Sequence, residues 1–272
     1  MQIAIADGCV PISVPIPCGV WVLEPPAYRK KVISCTVRDE GNHPLRSLDQ
    51  RKTLPPFISF EAQPRSSRRC GAACVAMVLR SFKKMAKQGP IWAQLREAGP
   101  LGKQHIRSIS VARYLTMRKL VTTVIRVKDV PKAVRTIAAT ELRTILVHHR
   151  EAGSNEGHFT VLLSATDDDV VVHDPFVGPS RRIRFAELEQ LMTPSAAGDE
   201  ISPRIFITVS EHAAHGLCHR CATPLPTMIK CRECGLENAV ADPSCLGCVE
   251  AACEERLFEC VICQHCDRPA LT

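Results

Sequence analysis

Residues 63–82 read QPRSSRRCGAACVAMVLRSF, and the change of character at Cys70 decides how the rest of the chain is read. Upstream lie a proline, two serines and a run of arginines without helical period, an extended approach. Downstream, apolar residues recur at Val75, Val78, Leu79 and Phe82, the spacing of an amphipathic helix. Cys70 therefore stands where an extended segment becomes a helix. Ser67 is a candidate cap, although Arg68, Arg69 and Cys70 intervene. A sulfur in that position lies near orphan backbone N–H groups and the positive end of the helix dipole, surroundings that favour a thiolate. Gly71, Ala72 and Ala73 leave little bulk beside it for an approaching substrate backbone. Cys74, one turn deeper on the same face, reads as core.

Working outward, WAQLREA, SISVARYLTMRKL and DVPKAVRTIAAT are predicted helices, the last with Asp129 as cap and Pro131 in its first turn. LVTTVIRV, LRTILVHH, HFTVLLSA, DVVVHD, RRIRF and RIFITV are predicted strands, with a short helix FAELEQLM before the last. Helices first and then mostly strands joined by short turns is an α+β arrangement.

The strand GHFTVLLSA (157–165) starts with His158 after a glycine that leaves room beside the imidazole. The acidic turn Asp167, Asp168, Asp169 reverses the chain into VVVHDP, so Asp174 returns alongside His158, where it can hold the second ring nitrogen. Cys70, His158 and Asp174 thus supply a nucleophile, a base and an orienting acid for thiol acyl transfer. Gln63 can offer a side-chain amide to an oxyanion hole beside the Cys70 N–H. His148, His149 and His173 read as strand residues without a catalytic role.

Gln63 followed by RRCGAAC, then GHFTVLL, then HDPFVG with a basic strand and a short helix, resembles the papain-like peptidase domain that removes double-glycine leaders in bacteriocin-exporting transporters, and its free-standing relatives. The similarity runs from about Phe57 to Val209. It implies an α+β papain-like cysteine peptidase with Cys70 as nucleophile, His158 as base, Asp174 as orienting acid and Gln63 in the oxyanion hole. The residue before the cysteine, often acidic in that family, is Arg69 here.

Ten of the 15 cysteines fall between Cys218 and Cys266, mostly as Cys-x2-Cys knuckles. Two thiolates so spaced fit around one tetrahedral Zn²⁺ but bridge each other only under strain. The run from Leu217 to Arg268 resembles a double zinc ribbon. The expected pairing sets Cys218 and Cys221 with Cys231 and Cys234, and Cys245 and Cys248 with Cys260 and Cys263, around two structural zinc ions. An interleaved pairing stays open, with Cys253, His265 and Cys266 as substitute ligands.

The expected organisation is a poorly structured extension over 1–56 with one short strand near Gly19–Leu23, a papain-like domain over 57–210, and the double ribbon over 217–268. Net charge is +7 over 272 residues, yet from Glu211 onward five basic residues face nine acidic ones. The ribbon module is therefore acidic, which argues against nucleic acid and for a protein partner or substrate. No apolar run approaches the length of a membrane span, and the first run, broken by Pro11, Pro15 and Pro17, reads poorly as a secretory signal. A bacterial, cytoplasmic cysteine peptidase acting on a peptide or protein is the leading expectation. A deamidase, transglutaminase or amide-conjugate hydrolase on the same fold, and a non-catalytic peptide-binding adaptor, are the alternatives.

Overall fold

The computed structural model describes residues 57–99, 103–194 and 202–272. The expected extension 1–56, with its strand near Gly19–Leu23, lies outside the described residues.

Most helices follow their sequence signals, except that the one predicted over WAQLREA begins earlier, at Gln88, and gives up Glu97 and Ala98 to a short strand. Helix α1 (Cys70–Ser81) starts at the nucleophile candidate itself, α2 spans Gln88–Leu95 and α3 spans Ser108–Met117. Helix α4 (Val130–Ala138) is capped as its sequence asks: the Asp129 carboxylate accepts the Lys132 N–H at 2.9 Å, with proline in the first turn. Helix α5 spans Phe185–Leu191. The cap expected at the head of α1 is not used. Ser67 instead donates its hydroxyl to the Pro64 carbonyl at 2.7 Å and closes the turn before the helix. Helix α1 thus opens at Arg69 without a side-chain cap, which leaves its first-turn N–H groups for another acceptor.

Among the described residues eight strands form one sheet: β1 (Val121–Val127), β2 (Arg143–His149), β3 (Gly157–Ala165), β4 (Asp169–Asp174), β5 (Gly178–Arg184), β6 (Ile205–Ser210), β7 (Phe258–Ile262) and β8 (Pro269–Leu271). Their order across the sheet is β8-β7-β1-β6-β2-β3-β4-β5. All neighbours are antiparallel, which lets short turns connect most of them.

Alternation along the strands builds two cores, one on each face. Val124, Ile145, Val147 and Val161 pack with α1, α2 and α3. Ile125, Val127, Leu146 and Val172 pack with α4 and α5 on the other face. That second core also takes in Phe258, Val261 and Ala270 from the far end of the chain. Strand β7 pairs with β1 from Phe258↔Val127 to Ile262↔Val124, and the Ala241 N–H is bonded by the Thr123 hydroxyl at 2.7 Å. The cysteine-rich tail thereby shares sheet and core with the segment that precedes it.

Candidate active site and cysteine clusters

The register Val161↔His173 sets Asp174 one residue further, on the face that carries His158. The His158 Nε2–H donates to Asp174 Oδ1 at 2.7 Å, and the Cys70 side chain lies close to the same imidazole in one cleft. With Nε2 engaged, Nδ1 is the nitrogen left for sulfur. All three residues are buried. Burial by itself pulls the His158 imidazole down, but its bond to the Asp174 carboxylate and the nearby Cys70 more than offset this and raise it to about 9.

Asp174 is held from every side. Its Oδ1 also accepts the N–H groups of Phe176 at 2.9 Å and Val177 at 3.1 Å, and its Oδ2 takes Arg181 Nη1 at 2.9 Å. Burial would raise the carboxyl, yet His158, the backbone donors and Arg181 together hold it well below the usual carboxylate range. One side chain therefore orients the imidazole and orders the 175–177 turn. Arg181, across the strand pair from Val172, was not singled out in the sequence; its position in a strand next to the one ending at Asp174 was the available signal.

His148 was read as a strand residue without a catalytic role. It pairs directly with His158 across β2 and β3, and the two rings meet edge to face at 5.4 Å between centroids. Its Nδ1–H donates to the His149 carbonyl at 2.6 Å and its Nε2 accepts from Thr160 at 3.2 Å. Burial and the neighbouring His158 lower it to about 3, so it stays neutral beside the second imidazole. His173 donates to the Ile58 carbonyl at 2.8 Å and accepts from the Ser180 N–H at 3.1 Å, tying the extended approach to the sheet.

Gln63 lines the same cleft as Cys70 and His158, together with Ile106, Phe159 and Phe176. Its N–H donates to the Pro175 carbonyl at 2.9 Å, and its side-chain Nε2 donates to the Ser67 carbonyl at 2.6 Å, leaving a second N–H on that nitrogen. Cys74 is fully buried below Cys70, and burial, with Cys70 and Asp174 nearby, pushes its thiol far up. Arg69 is turned toward α2, its guanidinium 5.8 Å from the Trp92 ring centre.

The tail groups its sulfurs differently from the expected pairing. Cys218 and Cys221 meet Cys248 and Cys253, and Cys231 and Cys234 meet Cys263 and Cys266, each set within 4.8 Å of one another. The knuckles interleave, so the pairings of Cys218/Cys221 with Cys231/Cys234 and of Cys245/Cys248 with Cys260/Cys263 are corrected. Cys245 sits in the short helix Pro243–Cys245, fully buried in the second core, and burial pushes its thiol up to about 12. Cys260 lies within β7, opposite Arg126. Cys263 follows the end of that strand and joins the second set, whereas Cys260 belongs to neither set. His265 also stays out: its ring Nε2 lies 3.2 Å from the Glu237 carbonyl, while its backbone N–H donates to Cys263 Sγ at 3.3 Å.

Within the sets the sulfur–sulfur distances are 3.8 Å for Cys218–Cys253, 3.5 Å for Cys221–Cys248, and 3.7 Å for both Cys231–Cys266 and Cys234–Cys263. These are too long for disulfides. They match the edge of about 3.8 Å that four sulfurs form around tetrahedral zinc at about 2.3 Å. Backbone and amide donors from Glu250, His265 and Asn238 reach Cys248 or Cys263, the outer-shell bonds typical of metal thiolates. Both sets can therefore hold a metal ion.

Residues 60–194 match the model of the Peptidase C39 family. Among solved structures, the chain is similar to a double glycine motif protease from an AMS/PCAT transporter in complex with the leader peptide, at 19% identity over 58% of this chain and 94% of that one, TM-score 0.42. It is also similar to the peptidase domain of Streptococcus ComA, a bifunctional ABC transporter involved in a quorum-sensing pathway, at 12% identity over 57% of this chain and all of that one, TM-score 0.43. No curated protein matches at a significant level. No helix among the described residues is long and apolar enough to cross a membrane.

Proposed function

We propose that the Peptidase C39 domain carried by residues 60–194, a domain of a cysteine peptidase family, cleaves a peptide bond with Cys70 as nucleophile, and that the cysteine tail is zinc-bound and recruits a protein substrate. The observation that carries the reading is the His158 imidazole held by a buried Asp174 and facing the same cleft as Cys70. Cys70 sulfur attacks the scissile carbonyl as thiolate while His158 holds the proton as imidazolium. The carbonyl oxygen gathers negative charge against the uncapped first turn of α1 and the second N–H of Gln63 Nε2. His158 then gives its proton to the leaving amine, and a thioester remains on Cys70. Water attacks that thioester with His158 as base, releasing the acid and regenerating the thiol. Asp174, fixed by Arg181 and the 175–177 turn, keeps the imidazole aligned throughout.

Gly71 packs so closely that an added Cβ would stand 3.3 Å from Phe159 and 3.4 Å from Ile106, and these two side chains with Phe176 give the cleft beside the sulfur an apolar wall. It suits an extended peptide with small residues before the scissile bond, in line with the double glycine motif named for the transporter protease. Zinc, where bound, supplies structural cross-links, since four thiolates close its coordination. The cytoplasm, where free thiols persist, is the compartment that fits so many unpaired cysteines.

The test is incubation of the full chain and of Cys70→Ala with a library of unstructured peptides carrying Gly-Gly, with mass spectrometry of the products. Two fragments from the native chain and none from Cys70→Ala support the reading. An intact peptide shifted only by side-chain deamidation or transamidation would replace peptidase by the related thiol reaction, and unchanged peptide that stays bound would make the domain an adaptor.

A further inference from the structure

The two cysteine clusters differ in what they hold. Ile106 forms part of the cleft wall beside Gly71, and the next residue, Arg107, stands at the head of α3. Arg107 pairs with Asp267, the residue after Cys266. Further along α3, Arg113 donates through Nε to the Gln264 carbonyl and through Nη2 to the His265 carbonyl at 2.8 Å. The Gln264 side chain answers on the same helix and strand: its Oε1 accepts the Thr116 hydroxyl at 3.0 Å, and its Nε2 donates to the Thr122 carbonyl at 2.6 Å. Every one of these contacts falls on 264–267, the loop that presents Cys263 and Cys266 to their cluster. The first cluster meets the domain elsewhere, through Lys132 of α4, which donates to the Glu254 carbonyl at 2.7 Å and lies 3.4 Å from the Glu255 carboxylate. Helix α4 packs on the sheet face opposite α1 and α3.

A four-sulfur knuckle has one shape when its sulfurs share an ion and none enforced when they do not. The loop that offers the Gln264 and His265 carbonyls to Arg113 lies between two sulfurs of one such set, Cys263 and Cys266. We propose that the centre formed by Cys231, Cys234, Cys263 and Cys266 braces the peptidase cleft, with Arg113 and Arg107 as the positioning residues that transmit its state to Ile106. Loss of metal there releases α3 and opens the cleft wall, whereas loss from the Cys218, Cys221, Cys248 and Cys253 centre leaves the wall in place. The inference rests on the reading of both clusters as metal centres and extends the peptidase reading to its control by metal.

The experiment uses the full zinc-loaded chain and follows three readouts: zinc per chain, hydrogen–deuterium exchange of residues 104–117, and kcat and KM on a short cleavable peptide. Cys266→Ser should lose one zinc and raise exchange over 104–117 by about tenfold or more, as expected when several bonds to charged groups are released. Cys253→Ser should also lose one zinc and leave that segment unchanged. Arg113→Ala keeps every cysteine, so it tests the brace even where Cys266→Ser fails to fold. It should retain both zinc ions, raise the same exchange and raise KM more than it lowers kcat, with partial recovery in Arg113→Lys; Lys132→Ala should alter neither. Equal effects of Cys266→Ser and Cys253→Ser on 104–117, or unaltered exchange in Arg113→Ala, would overturn the proposal, as would a native chain without metal. If no peptide is cleaved but the exchange pattern follows the expected order, the brace stands and the peptidase reading falls.

Discussion

The Cys70 cleft and the cysteine tail use one residue type for opposite ends. In the cleft one buried sulfur lies beside an imidazole whose protonated form a carboxylate favours, an asymmetric pair with one open side. In the tail each sulfur faces three others at about the spacing of a zinc tetrahedron, a symmetric set with no side left open. Reactivity follows from that asymmetry: a thiol becomes a nucleophile where something removes its proton and leaves it uncoordinated, and becomes a cross-link where a cation takes all its neighbours as well.

The comparison breaks most severely at Cys70. Cys70→Ala should abolish peptide cleavage, a loss of about 10³-fold or more for a covalent nucleophile, while Cys74→Ala keeps both cleavage and labelling by iodoacetamide. Comparable labelling of the two thiols in the folded chain would show that burial of Cys74 does not separate them.

Next in size is the bond between the regions. Phe258 is fully buried beside Val127 and Val261, and Phe258→Ala should lower stability by about 3–5 kcal/mol, measured by urea unfolding followed at both the sheet and the zinc thiolates. A single transition, shifted as a whole, is expected, because β7 belongs to the same sheet as β1. Two separate transitions with only the tail's affected would return the tail to the status of an independent module. Cutting the chain before residue 217 should expose β1 as a free apolar edge and drive association.

How much of this was legible follows the range of the interactions. The helix beginning at Cys70, the hairpin returning Asp174 to His158 and the Asp129 cap are set by residues within a few positions or one turn of each other, and period and turn chemistry expose them. The knuckle pairing is set by which distant loops the sheet brings together. Cys245–Cys248 and Cys260–Cys263 have the same spacing as true knuckles, and spacing alone does not show that Cys260 lies inside a strand that ends at Ile262, just before Cys263. Arg113 acts across 151 residues through a contact that no local pattern encodes, whereas Arg181 lies only 7 residues from Asp174, in the strand paired with its own.

Gln63 tests the open side of the cleft. Gln63→Ala should lower kcat by about 10²-fold with a smaller change in KM, the signature of a donor to a charge formed only in the transition state. An effect confined to KM would assign Gln63 to ground-state binding and leave α1 alone in the oxyanion hole.

The pH profile sharpens the asymmetry of the cleft. His158 is raised to about 9 from an unfolded value of about 6.5, so its protonated form is favoured by the fold. Its stabilisation is fully present below about pH 6.5 and is lost as pH rises through about 9. Cleavage should fall over the same alkaline range, by about tenfold per unit beyond it. His148 acts in the other direction: lowered to about 3, it withdraws stability as pH falls below about 6.5. Replacement of Asp174 by Asn should move the alkaline limb to lower pH, and an unmoved limb would assign it to another group.

The smallest expected effect lies at the foot of the first cysteine centre. Asp129 caps α4 through the Lys132 N–H, and the Lys132 side chain reaches Glu254 next to Cys253. Loss of the cap in Asp129→Ala costs about 1 kcal/mol, or about 2–4 °C in Tm for a chain of this size. Helix α4 supports the sheet from the face away from Cys70, so the strain should reach the first centre and stop there. Calorimetry should show the lowered Tm, a zinc chelator should strip one ion faster than in the native chain, and peptide turnover should stay level. A matching fall in turnover would mean that the two faces of the sheet communicate, and that the contrast between a braced cleft and an uncoupled first centre is one of degree.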